Sequence, residues 1–193
     1  MTHELWDREA LTFDDEPDHG LADPATRAAW RELLLGALPG APARVADLGC
    51  GTGTLGRLLT DEGYTVDGLD ISTEMIRRAR EKVPEATFVV GDAADPTLEP
   101  AAYDVVLGRH VLWAMPDPVE AFGRWTRLLR PGGHVVLVEG SWSTGAGLTA
   151  VEAERIVRTA RTHVEVRHLP EPVYWGKEIR DERYLLVSPP DGD

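Results

Sequence analysis

An α/β fold of the doubly wound kind, a parallel sheet with helices on both faces, is what this 193-residue sequence predicts. Three observations carry the prediction. Short apolar runs alternate with segments of helical periodicity along the chain. The first such run, Val45-Ala46-Asp47-Leu48, opens into Gly49-Cys50-Gly51-Thr52-Gly53, with glycines at alternate positions where a strand gives way to a helix. Acids then mark the ends of successive runs: Asp47 just ahead of the glycines, Asp70 after Val66-Asp67-Gly68-Leu69, and Asp92 after Phe88-Val89-Val90-Gly91.

Each element follows from local signals. Asp23 and Pro24 read as the cap and first turn of a helix through Ala28, Trp30, Leu33 and Leu34, ended by Pro39-Gly40-Ala41-Pro42. Residues 44–48 form the first strand. After the glycines, Leu55, Leu58 and Leu59 share one face of a helix that Gly63 closes. Residues 65–69 are the second strand, 73–82 a helix stopped by Pro84, and 86–90 the third strand. Residues 103–108 read as a buried fourth strand, with Asp104 capping its start. A helix over 117–129 begins at Asp117-Pro118. The turn Arg130-Pro131-Gly132-Gly133 leads into a fifth strand, 134–139. Residues 148–161 are helical, 164–168 and 183–187 supply the last strands, and 189–193 read as a frayed tail.

Composition excludes several classes of function. Thirty-three acids against 20 Lys and Arg give a net charge of −13, a poor surface for long DNA or RNA, whose phosphates are bound by basic residues. The Arg77-Arg78-Ala79-Arg80 cluster reads as a solvated helix face. No apolar run approaches the roughly 20 residues of a membrane helix, and residues 1–7 carry no secretory signal pattern. The single cysteine, Cys50, forms no intramolecular disulfide, so a cytoplasmic setting is expected. No metal-ligand set is read. A monomer and a homodimer both remain open.

The pattern acid-x-Gly-x-Gly-x-Gly at Asp47, Gly49, Gly51 and Gly53, followed by Asp70, Gly91-Asp92 and the Leu129–Gly133 turn, resembles the class I S-adenosylmethionine (SAM)-dependent methyltransferases, in their small-molecule branch. The likeness covers roughly residues 43–140, the expected cofactor-binding core of a single domain spanning 1–193. It implies a Rossmann-like sheet of seven strands, mostly parallel, with helices on both faces and the last strand antiparallel. It also implies SAM as cofactor and a methyl transfer to an oxygen or nitrogen of a small-molecule metabolite. SAM carries no phosphate, and its sulfonium and ammonium groups are cationic, so acids suit it. In the family's pattern Asp47 lies near the methionine end, with Gly49, Cys50, Gly51 and Gly53 allowing close backbone approach. Asp70 takes both ribose hydroxyls. Ile71 and Met75 pack on the adenine slot with Ser72, and Asp92 and the Ala93 N–H meet the adenine edge. Cys50 is read as a small loop residue without a chemical role.

Gly51-Thr52-Gly53-Thr54-Leu55-Gly56 also spells a dinucleotide fingerprint, so a nicotinamide-dependent oxidoreductase is one alternative and a non-catalytic SAM-fold binding protein another. Asp47 ahead of the loop and Asp92 after the third strand favour SAM, and no tyrosine is followed four residues on by lysine. Ligands of open α/β sheets lie beyond the carboxyl ends of the strands. There the fourth strand continues as Gly108-Arg109-His110-Val111-Leu112-Trp113, unlike the Asn/Asp-Pro-Pro-aromatic motif of DNA and protein amine methylases. His110 is the candidate base. Arg109 is a candidate for the methionine end or for a substrate carboxylate, and Trp113 for the substrate wall. His134 is read as structural. Residues 1–22, with Phe13 and His19, are an arm or lid over the substrate, His19 being a second base candidate. Residues 141–147 and 170–178, with Tyr174 and Trp175, are further segments able to shape a substrate pocket.

Overall fold

The computed structural model describes residues 3–190. Seven strands, β1 (Arg44–Leu48), β2 (Thr65–Asp70), β3 (Thr87–Val90), β4 (Tyr103–Arg109), β5 (Leu129–Ser141), β6 (Glu165–His168) and β7 (Glu182–Ser188), form one sheet in the order β3-β2-β1-β4-β5-β7-β6. Strands β1 to β5 pair in parallel, and β7 runs antiparallel to both β5 and β6. This is the seven-stranded arrangement expected. The reversal of β7 has a chemical consequence: its first residues share an edge with the last residues of β5.

Residues alternate between faces along the strands. Val105 and Leu107 of β4 pack on one side with Trp30, Leu34, Leu58 and Leu59. Val106 packs on the other with Phe122, Trp125, Val135 and Tyr184. Each large apolar side chain buried this way contributes about 1.5–3 kcal/mol relative to exposure.

The helices are α1 (His3–Glu9), α2 (Pro17–Gly20), α3 (Pro24–Ala37), α4 (Thr54–Asp61), α5 (Thr73–Lys82), α6 (Pro118–Trp125), α7 (Ala150–Val157) and α8 (Pro172–Trp175). Side-chain caps fix the starts of several. Asp23 accepts from Thr26 N at 2.8 Å, Ser72 from Met75 N at 3.1 Å and Asp117 from Glu120 N at 2.9 Å. Thr149 and Glu152 cap each other's backbone at the start of α7.

Three boundaries differ from the sequence reading. The helix expected over 117–129 ends at Trp125, tightens through Thr126–Leu128, and Leu129 already pairs with Tyr103. The turn at Arg130–Gly133 is an excursion inside β5, because pairing resumes only at Val105 with His134; Gly132 supplies its positive φ of 83°. The helix expected over 148–161 is shorter at both ends, since the Thr149 cap sets its start and Arg158 leaves the helix at its other end. Asp104 does more than cap: its Oδ2 accepts from Arg44 N at 2.8 Å and its Oδ1 pairs with Arg130, tying β1, β4 and β5 together. Residues 1–2 of the expected arm and 191–193 of the expected tail lie outside the described residues. Among the described residues no helix is long and apolar enough to cross a membrane.

Candidate functional site

A cavity of about 360 Å³ opens at the carboxyl edge of the sheet, within the size range of small-molecule sites. Gly49, Cys50, Gly51, Asp70, Ile71, Met75, Asp92 and Ala93 wall one end, and Arg109, His110, Trp113, Trp142 and Arg183 the other. Trp6, Phe13, Asp18 and His19 of the arm close over it.

The glycine loop is held by β2. Gly49 N and Cys50 N both donate to Leu69 O, at 2.8 and 3.0 Å, and Gly51 N donates to Asp70 Oδ2 at 2.9 Å. A Cβ at Gly49 would stand 2.7 Å from Val111 Cγ2, and one at Gly51 3.3 Å from Phe13 Cε1. Both residues also have positive φ, 66° and 54°, so larger residues are opposed twice over. Asp70 Oδ1 accepts from Ser72 N at 2.9 Å. Each carboxylate oxygen therefore takes one backbone N–H and keeps a lone pair for a ligand. Burial raises the Asp70 pKa against the pull of these N–H groups.

Two residues expected against the ligand are not among those lining the cavity. Asp47 is 2% exposed beneath the loop, its Oδ2 buried with no hydrogen-bond partner. Burial pushes its pKa up to about 7, opposed by Arg109 and reinforced by Asp70. Gly53 is the N-cap of α4, and its absent Cβ makes room for Ala79, 3.0 Å from where that atom would be. Its role is packing of α4 on α5. Cys50 is buried, with its thiol pKa driven up by burial, in keeping with a chemically inert loop residue. Asp92 Oδ1 turns back to Ala94 N at 2.8 Å, and Ile71 leaves an apolar side chain 38% exposed at the cavity edge.

At the other end His110 sits at φ 58°. Its backbone N donates to Val138 O at 2.8 Å, its carbonyl accepts from Trp113 Nε1 at 2.9 Å, and its Nε2 has no partner. Burial, then Arg109, His19 and Arg183, hold its pKa well below the usual imidazole range. The ring is therefore neutral near pH 7 and a weak base. The turn after it hangs on Glu139, whose Oε1 accepts from Val111 N at 3.0 Å and Leu112 N at 2.7 Å. Burial raises the Glu139 pKa to about 8. Arg109 donates from Nη1 to Asp18 O at 2.5 Å and lies 5.2 Å over the Trp30 ring.

Trp175, expected against substrate, is a core residue. It is 2% exposed, donates to Leu169 O at 2.8 Å, and stacks behind His110 at 6.1 Å. Tyr174 is buried with it, its carbonyl accepting from Trp30 Nε1 at 2.8 Å. The four-residue α8 turns both rings onto α3, away from the cavity. His134 is not among the lining residues. Trp142 lies in the 141–147 segment expected to shape the pocket, and Arg183 is a lining residue that the sequence reading did not single out. Their signal was positional: Trp142 directly follows β5, and Arg183 opens the strand antiparallel to it. Asp18, His19 and His110 form a further unforeseen cluster, with one ligand-capable atom of each within 4.8 Å of the others. Arg109 lowers the pKa of both imidazoles, a field that opposes a cation there.

The arm is fastened at three points. Asp7 Oδ1 accepts from Ser72 Oγ at 2.6 Å and Glu74 N at 3.1 Å. Asp14 accepts from Thr52 Oγ1 at 2.5 Å and from Lys82 Nζ at 2.8 Å. The third point is the Arg109 contact with Asp18. Phe13 stacks on His19 at 4.1 Å, 11° from parallel.

These residues fit a cationic adenosyl ligand. Asp70 keeps acceptor capacity in the wall, Asp47 is a buried carboxylate without a partner, and two glycines leave room for the ligand's backbone approach. Residues 46–137 match the family model described as a methyltransferase domain. Among relatives, the chain is 29% identical to a demethylmenaquinone methyltransferase of Renibacterium salmoninarum, over 90% of this chain and 77% of that one. It is 33% identical to the 27-O-demethylrifamycin SV methyltransferase of Amycolatopsis mediterranei, over 89% and 62%. Across the curated relatives compared, the matched share of the relative runs from 38% to 77%. Among solved structures, an S-adenosylmethionine-dependent methyltransferase from Mesorhizobium loti superposes with a TM-score of 0.68 at 22% identity, over 82% of this chain and 96% of that one. At that identity the likeness speaks for the fold.

Proposed function

We propose that this chain, whose residues 46–137 match a methyltransferase-domain family model, transfers a methyl group from SAM to an oxygen or nitrogen of a small-molecule metabolite. The observation that carries this reading is the pair of buried carboxylates under and beside the glycine loop: Asp70 with acceptor capacity to spare, and Asp47 with no hydrogen-bond partner on Oδ2. A buried unpaired charge is costly, and a cationic ligand above it removes that cost. Two relatives, by their names, act on a menaquinone precursor and a rifamycin, which supports a small-molecule acceptor. The acidic surface supports it as well.

In this reading Asp70 takes the ribose hydroxyls, Ile71 and Met75 line the adenine slot, and Asp92 with the Ala93 N–H meets the adenine edge. Asp47 acts through its field from beneath Gly49. When bound, the cofactor would supply a methyl group already activated by its sulfonium. The chain's own work is then to align the acceptor and exclude water. The arm of residues 3–22 serves as the lid: its aromatic residues Trp6 and Phe13 cover the cavity while Asp7, Asp14 and the Asp18 carbonyl latch it. His110 lines the cavity with its Nε2 buried and unpaired, and its depressed basicity suits an acceptor hydroxyl that is already acidic rather than an alkyl alcohol.

Titration calorimetry tests the proposal. SAM and its demethylated product are expected to bind saturably to the native chain, and absence of binding by both overturns the reading.

A further inference from the structure

The carboxyl edge of the sheet carries opposite charges at its two ends. Acids end or follow β1, β2 and β3, whereas guanidiniums stand at the end of β4 and the start of β7. The antiparallel course of β7 produces the second half of this pattern. It sets Arg183 opposite Gly140 and Glu182 opposite Ser141, at the same edge as the tips of the parallel strands.

Gly140 is what lets the arginine fold over the sheet. A Cβ there would stand 2.7 Å from Arg183 Cδ and 3.2 Å from Nη1. With that space open, the guanidinium lies 4.7 Å from the Trp142 ring and 5.6 Å from the Trp175 ring. Arg183 is only 9% exposed and lines the cavity, with two polar contacts from its guanidinium. Nη1 donates to Glu182 O at 3.1 Å, and Nη2 to Asp181 Oδ2 at 3.3 Å. Arg109, at the same end, has no carboxylate within 4 Å among the described residues; its one hydrogen bond is to a backbone carbonyl. Arg109, half-buried, and Arg183, whose one carboxylate partner Asp181 stands 3.3 Å away, line a common space in a chain of net charge −13. Asp18, whose carbonyl holds Arg109, turns its carboxylate to His19, at 3.6 Å from its Nε2.

The same end is walled by flat rings. Trp142 lies 5.5 Å from Trp113 and meets His110 edge-on at 5.0 Å. Indole faces accept an aromatic ring, and a guanidinium fork matches a carboxylate or phenolate oxygen.

We propose that this half of the cavity binds the methyl acceptor as an aromatic anion, its ring against Trp113 and Trp142 and its charged oxygen on Arg183. The inference rests on the methyltransferase reading and names the substrate class for it. Asp70 and Asp47 set the polarity of the cofactor end, and Arg183 sets that of the acceptor end.

The test uses the full chain saturated with S-adenosylhomocysteine. Binding of benzoate, 4-hydroxybenzoate, benzyl alcohol and benzylamine is followed by tryptophan fluorescence. The two acids are expected to bind roughly tenfold or more tighter than the alcohol and the amine, since one charge-assisted contact of this kind is worth at least that factor. Arg183→Gln removes the preference and Arg183→Lys keeps part of it. Both variants retain S-adenosylhomocysteine binding in calorimetry. Equal affinity for acid and alcohol in the native chain, no binding of either acid, or an Arg183→Gln chain that still prefers acids each overturns the inference. The native-chain series decides the matter even where a variant does not fold. Failure of the native chain to bind S-adenosylhomocysteine overturns the cofactor reading instead, so the two failures are told apart.

Discussion

The half of the cavity built on β1, β2 and β3 and the half built on β4, β5 and β7 solve the same problem by different means. In the first, the pattern is local: the loop and its glycines directly follow β1, and Asp70 and Asp92 recur about one strand–helix unit apart at the ends of the next strands. In the second, His110, Trp142 and Arg183 come from three separate stretches and meet only because the sheet brings their strand ends together. The first half is lined by acids and held by backbone hydrogen bonds, the second lined by two guanidiniums and by aromatic rings. Parallel βαβ units repeat one geometry, so their ligand groups recur in sequence. An antiparallel strand reverses that rule and supplies its first residues to the edge where the others supply their last.

The sharpest way to break the comparison is at Asp70. Asp70→Ala removes an acceptor for the ligand and the anchor of Gly51 N and Ser72 N together. SAM affinity is expected to fall by about 1.5–3 kcal/mol, roughly ten- to hundredfold, in calorimetry. Asp47→Asn divides binding from stability. The native carboxyl has its pKa raised to about 7 from 3.8, so the folded state holds its proton more tightly than the unfolded one. Its stability contribution is fully present below pH 4 and is lost as pH rises toward 7. The variant is expected to melt higher than the native chain at pH 8 without ligand, by on the order of 1 kcal/mol, and to bind SAM more weakly. A variant with unchanged melting would show that Asp47 is already compensated.

On the other half Glu139→Gln makes the matching test. Its carboxyl is raised to about 8 from 4.5, so the native chain loses stability as pH climbs from about 5 to 8, and the glutamine variant is expected to lose less. Denaturant melts at pH 5 and pH 8 read the difference, on the order of 1 kcal/mol at the higher pH. Glutamine keeps an acceptor for Val111 N and Leu112 N, so the turn bearing His110 is preserved. The smallest effect is expected at the latch. The Asp14 and Lys82 side chains are 36% and 26% exposed, and Asp14→Asn should cost about 0.5–1 kcal/mol after solvent screening. Faster amide exchange within residues 3–22, with the sheet unchanged, is the expected readout; unchanged exchange removes Asp14 from the latch.

The strand-helix alternation, the glycine loop, Asp70 and the helix caps at Asp23 and Asp117 were legible in the sequence, because each depends on neighbours within a few positions. Strand ends and apolar periodicity likewise placed β1, β2 and β4 within a residue or two. Trp175 was misread for the opposite reason: an aromatic in a short loop segment faces core or cavity according to how α8 rests on α3, and spacing says nothing of that. Gly53 satisfied the loop pattern, and the close approach that its missing Cβ permits in the structure is of Ala79 on α5.

By itself, then, the chain's local pattern determined the class of fold, the glycine loop and the acids that end the strands beside it. Only tertiary structure decided that Asp47 lies beneath the loop without a partner, that Glu139 holds the turn after His110, and that Gly140 leaves space for Arg183 to cross toward Trp142. The physical reason is range. Caps, turns and strand periodicity are settled by hydrogen bonds and packing a few residues apart, whereas burial and charge at an assembled edge depend on which distant strands the sheet sets side by side.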